Sequence, residues 1–173
     1  MSIYNLSDFE KTGKIEQDIH FTDLNGIHEA INEITQQALK TIQIFTPDLE
    51  AAIYDNEELR QNLLTMVRGN RHAKIQILAF ETTSANSRGH TLLRLAHELT
   101  STIEIRIPAE EYQQTCCAFV LVDNKSFIFR PDTKEFNGIY NPDCKYRSQK
   151  LSEIFTAAWE HAEPDLQSRR LSI

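Results

Sequence analysis

A chain of 173 residues, 40% hydrophobic and 25% charged, is long enough to bury a core without disulfide or metal staples and has the balance of a soluble folded domain. Its net charge of −7 works against non-specific binding to nucleic acid, where affinity comes from neutralising phosphates, so a nucleic-acid partner is not expected. No apolar run approaches the ~20 residues of a membrane-crossing helix, and the N-terminus has neither the basic start nor the apolar centre of a signal segment.

The three cysteines, Cys116, Cys117 and Cys144, form neither an even disulfide framework nor a C-x-x-C pair. Reduced thiols in a cytoplasm are the simplest expectation. The first 17 residues are polar and without period, and read as a loosely held lead-in. Asp18 to Phe21 reads as extended. Ile27, Ala30, Ile31, Ile34, Ala38 and Leu39 then recur at three and four, giving a helix with one apolar stripe, for which Thr22, Asp23 or Asn25 is the cap.

Thr41 to Thr46 alternates Ile42 and Ile44 with polar neighbours and reads as a strand ended by Pro47. Acids from Asp55 to Glu58 mark a helix N-terminus, Leu59, Leu63, Leu64 and Val67 supply its apolar face, and Gly69-Asn70 predicts a left-handed cap. Ala73 to Phe80 is apolar on both sides towards its end, as a central strand is. Glu81 to Gly89 reads as a polar loop, His90 to Leu99 as a third helix, and Thr102 to Ile107 as a third strand.

Next come two strands, Cys116 to Val122 and Ser126 to Arg130, joined by a turn at Asp123, Asn124 and Lys125 in an antiparallel hairpin. An irregular stretch from Thr133 to Arg147 precedes a last helix, Gln149 to His161, and a polar tail runs from 163 to 173. Alternating helix and strand predicts an α/β domain over residues 18–162, with a mixed, mostly parallel sheet and helices on both faces.

The order of these pieces resembles one repeat of the phospholipase D-like superfamily: IQIFTPDL after a helix, RGN before KIQILAF, then IEIRIP, a strand ending in Asp123, and a terminal FTAAWEHA helix. Active members carry His-x-Lys-x4-Asp, in which the His attacks a phosphodiester and the Lys binds its phosphate. Set on Asp123, that pattern places Cys116 at the His and Ala118 at the Lys, and the Gly-Ser-x-Asn that follows falls on Arg130 to Thr133 and is missing.

Alanine brings no positive charge to a phosphate. The resemblance therefore implies the fold and a catalytically inactive domain acting in binding or assembly, with a homodimer or another protein as partner. The alternative is a hydrolase or transferase whose site is rebuilt on Cys116, with Asp123 retained; it requires a thiol of lowered pKa and a nearby base. On its hydrophobic strand Cys116 is expected to be buried and inert, and Asp123 to serve its own turn.

Open α/β folds place ligands beyond the C-terminal ends of their strands. There the chain offers Asp48, Glu81, Ser87, Arg88 and His90, the last three leading into a helix N-terminus where an anion would be welcome. A basic group, Arg68, Arg71, His72 and Lys74, surrounds the second helix-to-strand turn and reads as a solvated face. The histidines are read as solvated surface groups with no metal-ligand spacing, and no cofactor is implied.

Overall fold

The computed structural model describes residues 17–166. Nearly all of the polar lead-in, and the tail from 167 on with Arg169 and Arg170, lie outside the described residues. Eight strands form one sheet in the order β1-β7-β6-β5-β2-β3-β4-β8. They are β1 (Ile19–Phe21), β2 (Thr41–Asp48), β3 (Lys74–Glu81), β4 (Ile103–Ile107), β5 (Ala118–Val122), β6 (Ser126–Arg130), β7 (Gly138–Asn141) and β8 (Glu163–Pro164).

The sheet is mixed, but mostly antiparallel rather than mostly parallel. Only β2–β3 and β3–β4 run parallel, while β1–β7, β7–β6, β6–β5, β5–β2 and β4–β8 are antiparallel. The helix–strand alternation accounts for the parallel centre. The excess of antiparallel pairs comes from the hairpin and from three short strands, β1, β7 and β8, two of which lie in segments that carry no strand period.

The helices are α1 (Leu24–Gln36), α2 (Ala51–Tyr54), α3 (Glu57–Gly69), α4 (Thr83–Arg88), α5 (Thr91–Glu98) and α6 (Lys145–Glu160), with a 3-10 turn at Glu110–Gln114. Among the described residues none is long and apolar enough to cross a membrane. Strand alternation divides the core between the two faces of the sheet. Ile42, Ile44, Ile75, Ile77, Val120 and Val122 join Ile27, Ile31, Leu63 and Leu92 of the helices on one face. Phe45, Leu78, Phe119, Leu121, Phe127 and Phe129 meet Leu151 and Phe155 of α6 on the other. Phe45 and Phe119, partners across β2 and β5, stack at 4.9 Å between ring centroids and reinforce the seam between the parallel and antiparallel halves.

Local chemistry decides several boundaries. Asp23 is the cap of α1, its carboxylate accepting from the Gly26 amide. Asn56 accepts from the Leu59 amide and starts α3 one residue after Asp55. Asn70 is extended (φ −146°), so α3 does not end in the left-handed cap that Gly69-Asn70 suggests; the Asn70 side chain donates to the Leu39 carbonyl instead. β2 continues through Pro47 to Asp48, and the β3 register passes from Thr46–Ala79 to Asp48–Glu81 without pairing the proline. The stretch after β3 folds into α4 and ends at left-handed Gly89 (φ 68°). Past Ala162 the chain adds β8 to the edge of β4, and the Asp165 amide donates to the Ile105 carbonyl.

β7 approaches β6 and β1 closely at Gly138, where a Cβ would lie 2.4 Å from the Phe129 carbonyl oxygen and 2.7 Å from the Phe21 ring. The first of these neighbours is backbone in a paired strand and has no room to retreat. Gly138→Ala is accordingly expected to destabilise the fold by ~1–3 kcal/mol, read as a lower urea midpoint; an unchanged midpoint would contradict the close approach.

Candidate functional site

The strand ends place the candidate residues at two opposite poles. β5 runs antiparallel to β2, so its start lies beside the end of β2 and its end beside the start of β2. Cys116 and Ala118 therefore belong to the pole where β2 and β3 terminate, and Asp123 to the other.

Asp123 does more than serve its own turn. Its Oδ1 accepts from the Lys40 and Thr41 amides and its Oδ2 from the Leu39 amide, each at 2.8 Å, while its own amide donates to the Thr41 carbonyl. Asp123 and Asn124 have φ of 52° and 51°, the consecutive left-handed residues of a type I′ turn, which aims the carboxylate back at β2. The structure does not bring Asp123 together with Cys116.

Cys116 corrects the expectation of burial. It is exposed, because β5 begins only at Ala118, whereas Cys117 is the buried thiol. Burial pushes the Cys117 thiol upward in pKa, against the hydrogen bond with Thr115 that lowers it. Ala118 is buried and pairs with Arg130 across the hairpin.

Arg130 is the residue that sequence reasoning passed over. Although it ends an all-buried strand, it is only 2% exposed. Its Nη1 donates to both oxygens of Glu50 at 2.9 Å, its Nη2 to the carbonyls of Thr133 (2.9 Å) and Glu135 (3.0 Å), and its Nε to Glu135 again. Phe136 lies 5.9 Å from the guanidinium. Glu50 also accepts from the buried Thr46 hydroxyl at 2.9 Å. Burial, and then the Glu50 charge, hold the neighbouring Tyr54 phenol far above its ordinary pKa. The available signal was an arginine closing the run SFIFR, which needs a buried acid as partner.

Glu50 reaches this position through backbone at φ 29°, a region costly for a non-glycine residue, with its amide donating to the Asp48 carboxylate. Asp48 and His90 line a cleft of ≈ 130 Å³ together with Leu49, Glu50, Ala51, Asp55, Ser84 and Ala85. Glu81, the register partner of Asp48, accepts from the Ser84 amide at the start of α4. Ser87 and Arg88 lie outside the described side chains.

His90 is not a solvated surface histidine: it is 1% exposed. Its Nδ1 accepts from the Leu92 amide, so the proton resides on Nε2, which donates to the Leu49 carbonyl at 2.9 Å. Desolvation holds its pKa below the ordinary value of 6.5. The anion expected at this helix N-terminus is supplied internally by Asp55, which accepts from both the hydroxyl and the amide of Thr91. The Thr91 hydroxyl is the main cause of its lowered pKa. At the far pole Arg68, Arg71, His72 and Lys74 are all exposed, with Arg71 donating to the His72 ring.

The family model described as a domain of unknown function (DUF7931) matches residues 23–171. No curated protein matches the chain. Among solved structures, TrmBL2, an archaeal chromatin protein described as showing a novel mode of DNA binding, superposes with a TM-score of 0.63 at 16% identity. That likeness covers 92% of this chain and 58% of TrmBL2, so the chain spans little over half of that protein. The phospholipase D family member Nuc from Salmonella typhimurium gives 0.61 at 11% identity, over 88% of this chain and 98% of Nuc. NucT from Helicobacter pylori gives 0.57 at 10% identity, over 86% of this chain and 99% of NucT. The fold is phospholipase D-like.

Two consequences are measurable. Glu50→Ala strands the Arg130 charge in the interior and is expected to cost ~3–5 kcal/mol in urea unfolding; a cost below 1 kcal/mol would mean the pair is solvated. As pH falls from about 6.5 towards the lower folded pKa of His90, the unfolded state takes up a proton that the native state refuses, so stability declines by up to ~1.4 kcal/mol per pH unit. Asp55, held low, keeps its contribution until the pH falls below about 4, so the two limbs separate. Replacing His90 by Gln should flatten the upper limb in a pH series of urea midpoints.

Proposed function

We propose that this chain, which belongs to the DUF7931 family of domains of unknown function, is a catalytically inactive phospholipase D-like domain that works as a binding or assembly module. The observation carrying this reading is the state of Arg130. The cation beside Ala118 spends every N–H-bearing nitrogen on internal acceptors, so Arg130 does not stand in for the missing lysine in receiving a phosphodiester at this end of the sheet. Cys116 and Ala118 stand where the resemblance puts the nucleophile and the phosphate-binding lysine, and the retained Asp123 is occupied at the other pole in holding backbone amides.

The net charge of −7 supports a protein partner over nucleic acid, and a second copy of the chain is the partner we put first. A rebuilt site on Cys116 has one observation in its favour, the exposure of that thiol.

The purified protein should release no nitrophenol from bis(4-nitrophenyl) phosphate above the buffer rate and should sediment as a dimer at micromolar concentration. Turnover that disappears in Cys116→Ser would overturn the inactive reading in favour of the rebuilt site. A monomer that shifts labelled DNA at low salt would overturn the protein partner in favour of the exposed basic group.

A further inference from the structure

The Arg130 cluster is built as a receptor. Its guanidinium is oriented by the Thr133 and Glu135 carbonyls, which lie on its own side of the hairpin and hold Nε and Nη2 whether or not Glu50 is present. One nitrogen, Nη1, is left pointing away, and the Thr46 hydroxyl, wholly buried on β2, converges on the same point. A cation fixed by other contacts and a buried hydroxyl, whose one proton is shared between this spot and the Asp48 carbonyl at 3.2 Å, are the elements of an anion-binding site.

The occupant is Glu50, whose two oxygens both lie 2.9 Å from Nη1. It comes from a different layer, the short connection between β2 and α2. It arrives by a backbone bend at positive φ and keeps 13% of its side chain exposed, against 2% for Arg130. The better-fixed partner is thus the receptor, and the strained, more accessible one is the ligand.

From this we infer that the Arg130–Thr46 pair is a carboxylate-binding site and that Glu50 is its built-in occupant, which an external carboxylate replaces when the turn at Glu50 swings out. The planar group already seated there defines the class: one nitrogen shared between two coplanar oxygens, with a hydroxyl on the second. The inference rests on the reading of the domain as a catalytically inactive binding module, and the two fail separately, since phosphodiester turnover tests one and carboxylate binding the other.

Glu50→Ala removes the equivalent of an acetate ion, so sodium acetate at pH 7 is the probe and sodium chloride of equal ionic strength the control. At acetate tenfold above its dissociation constant the unfolding equilibrium constant should fall about 11-fold, raising the thermal midpoint of Glu50→Ala by ~3–6 °C. Wild type, whose site is filled, and the double variant Glu50→Ala/Arg130→Met should respond to acetate and chloride alike. Inorganic phosphate, tetrahedral and larger, should give less than half the acetate shift. If Glu50→Ala does not fold in chloride, refolding yield in acetate replaces the midpoint, and acetate-dependent recovery is the expected result. Equal behaviour of Glu50→Ala in acetate and chloride, an acetate shift that persists without Arg130, or a phosphate shift as large as that of acetate would each overturn the assignment.

Discussion

The carboxylate of Asp123 holds the two halves of this sheet in register. Three successive amides, from Leu39 to Thr41, converge on one side chain 82 to 84 residues away, and the reciprocal bond from the Asp123 amide closes the contact. Each bond from an amide to a charged acceptor contributes more than a neutral one, ~1.5–3 kcal/mol, and together they fix where the antiparallel hairpin meets the parallel centre. The Val122–Ile42 and Phe119–Phe45 pairings follow from it, as does the placement of Ala118 and Arg130 beside the far end of β2. A one-residue slip would turn Phe119 and Leu121 to the wrong face.

That registration also sets the electrostatic character of the β2 and β3 termini. Four carboxylates gather there, and each has work: Asp48 accepts from the Glu50 amide, Glu50 neutralises Arg130, Asp55 completes the N-terminus of α5, and Glu81 accepts from the Ser84 amide. His90, kept neutral by burial, bridges the Leu49 carbonyl and the Leu92 amide, tying the end of β2 to the start of α5. The polar groups form a closed internal network, which is why the cleft beside them is small and acidic rather than open and basic.

Much of the architecture was legible because it rests on periodicity. The stripe of α1, the alternation of β2 and β4, and the two-sided apolar character of β3 each follow from residue spacing, and the order of these pieces carried the resemblance. What escaped detection depends on partners distant in sequence. β7 holds one large apolar pair and survives by pairing with β6 and β1; β8 is two residues bonded to β4. The burial of His90 and the exposure of Cys116 are set by where helix and strand begin, a matter of one or two residues that spacing leaves open. Arg130 stood in plain view at the end of an apolar strand, but its partner is 80 residues away and nothing local pairs them.

The two sheet edges carry a further consequence for how copies of this chain would meet. β8 is only two residues long and ends in Pro164, which has no N–H to offer, and β1 at the opposite border is three residues long. Short, interrupted borders give an incoming strand almost nothing to extend. Among the described residues the sheet thus ends on both sides in short margins that offer little template for continuous cross-chain sheets, the usual route to fibrous aggregates. Borders of this kind favour association through side-chain surfaces, the helical faces or the strand termini, where specificity is set by shape and charge rather than by backbone pairing.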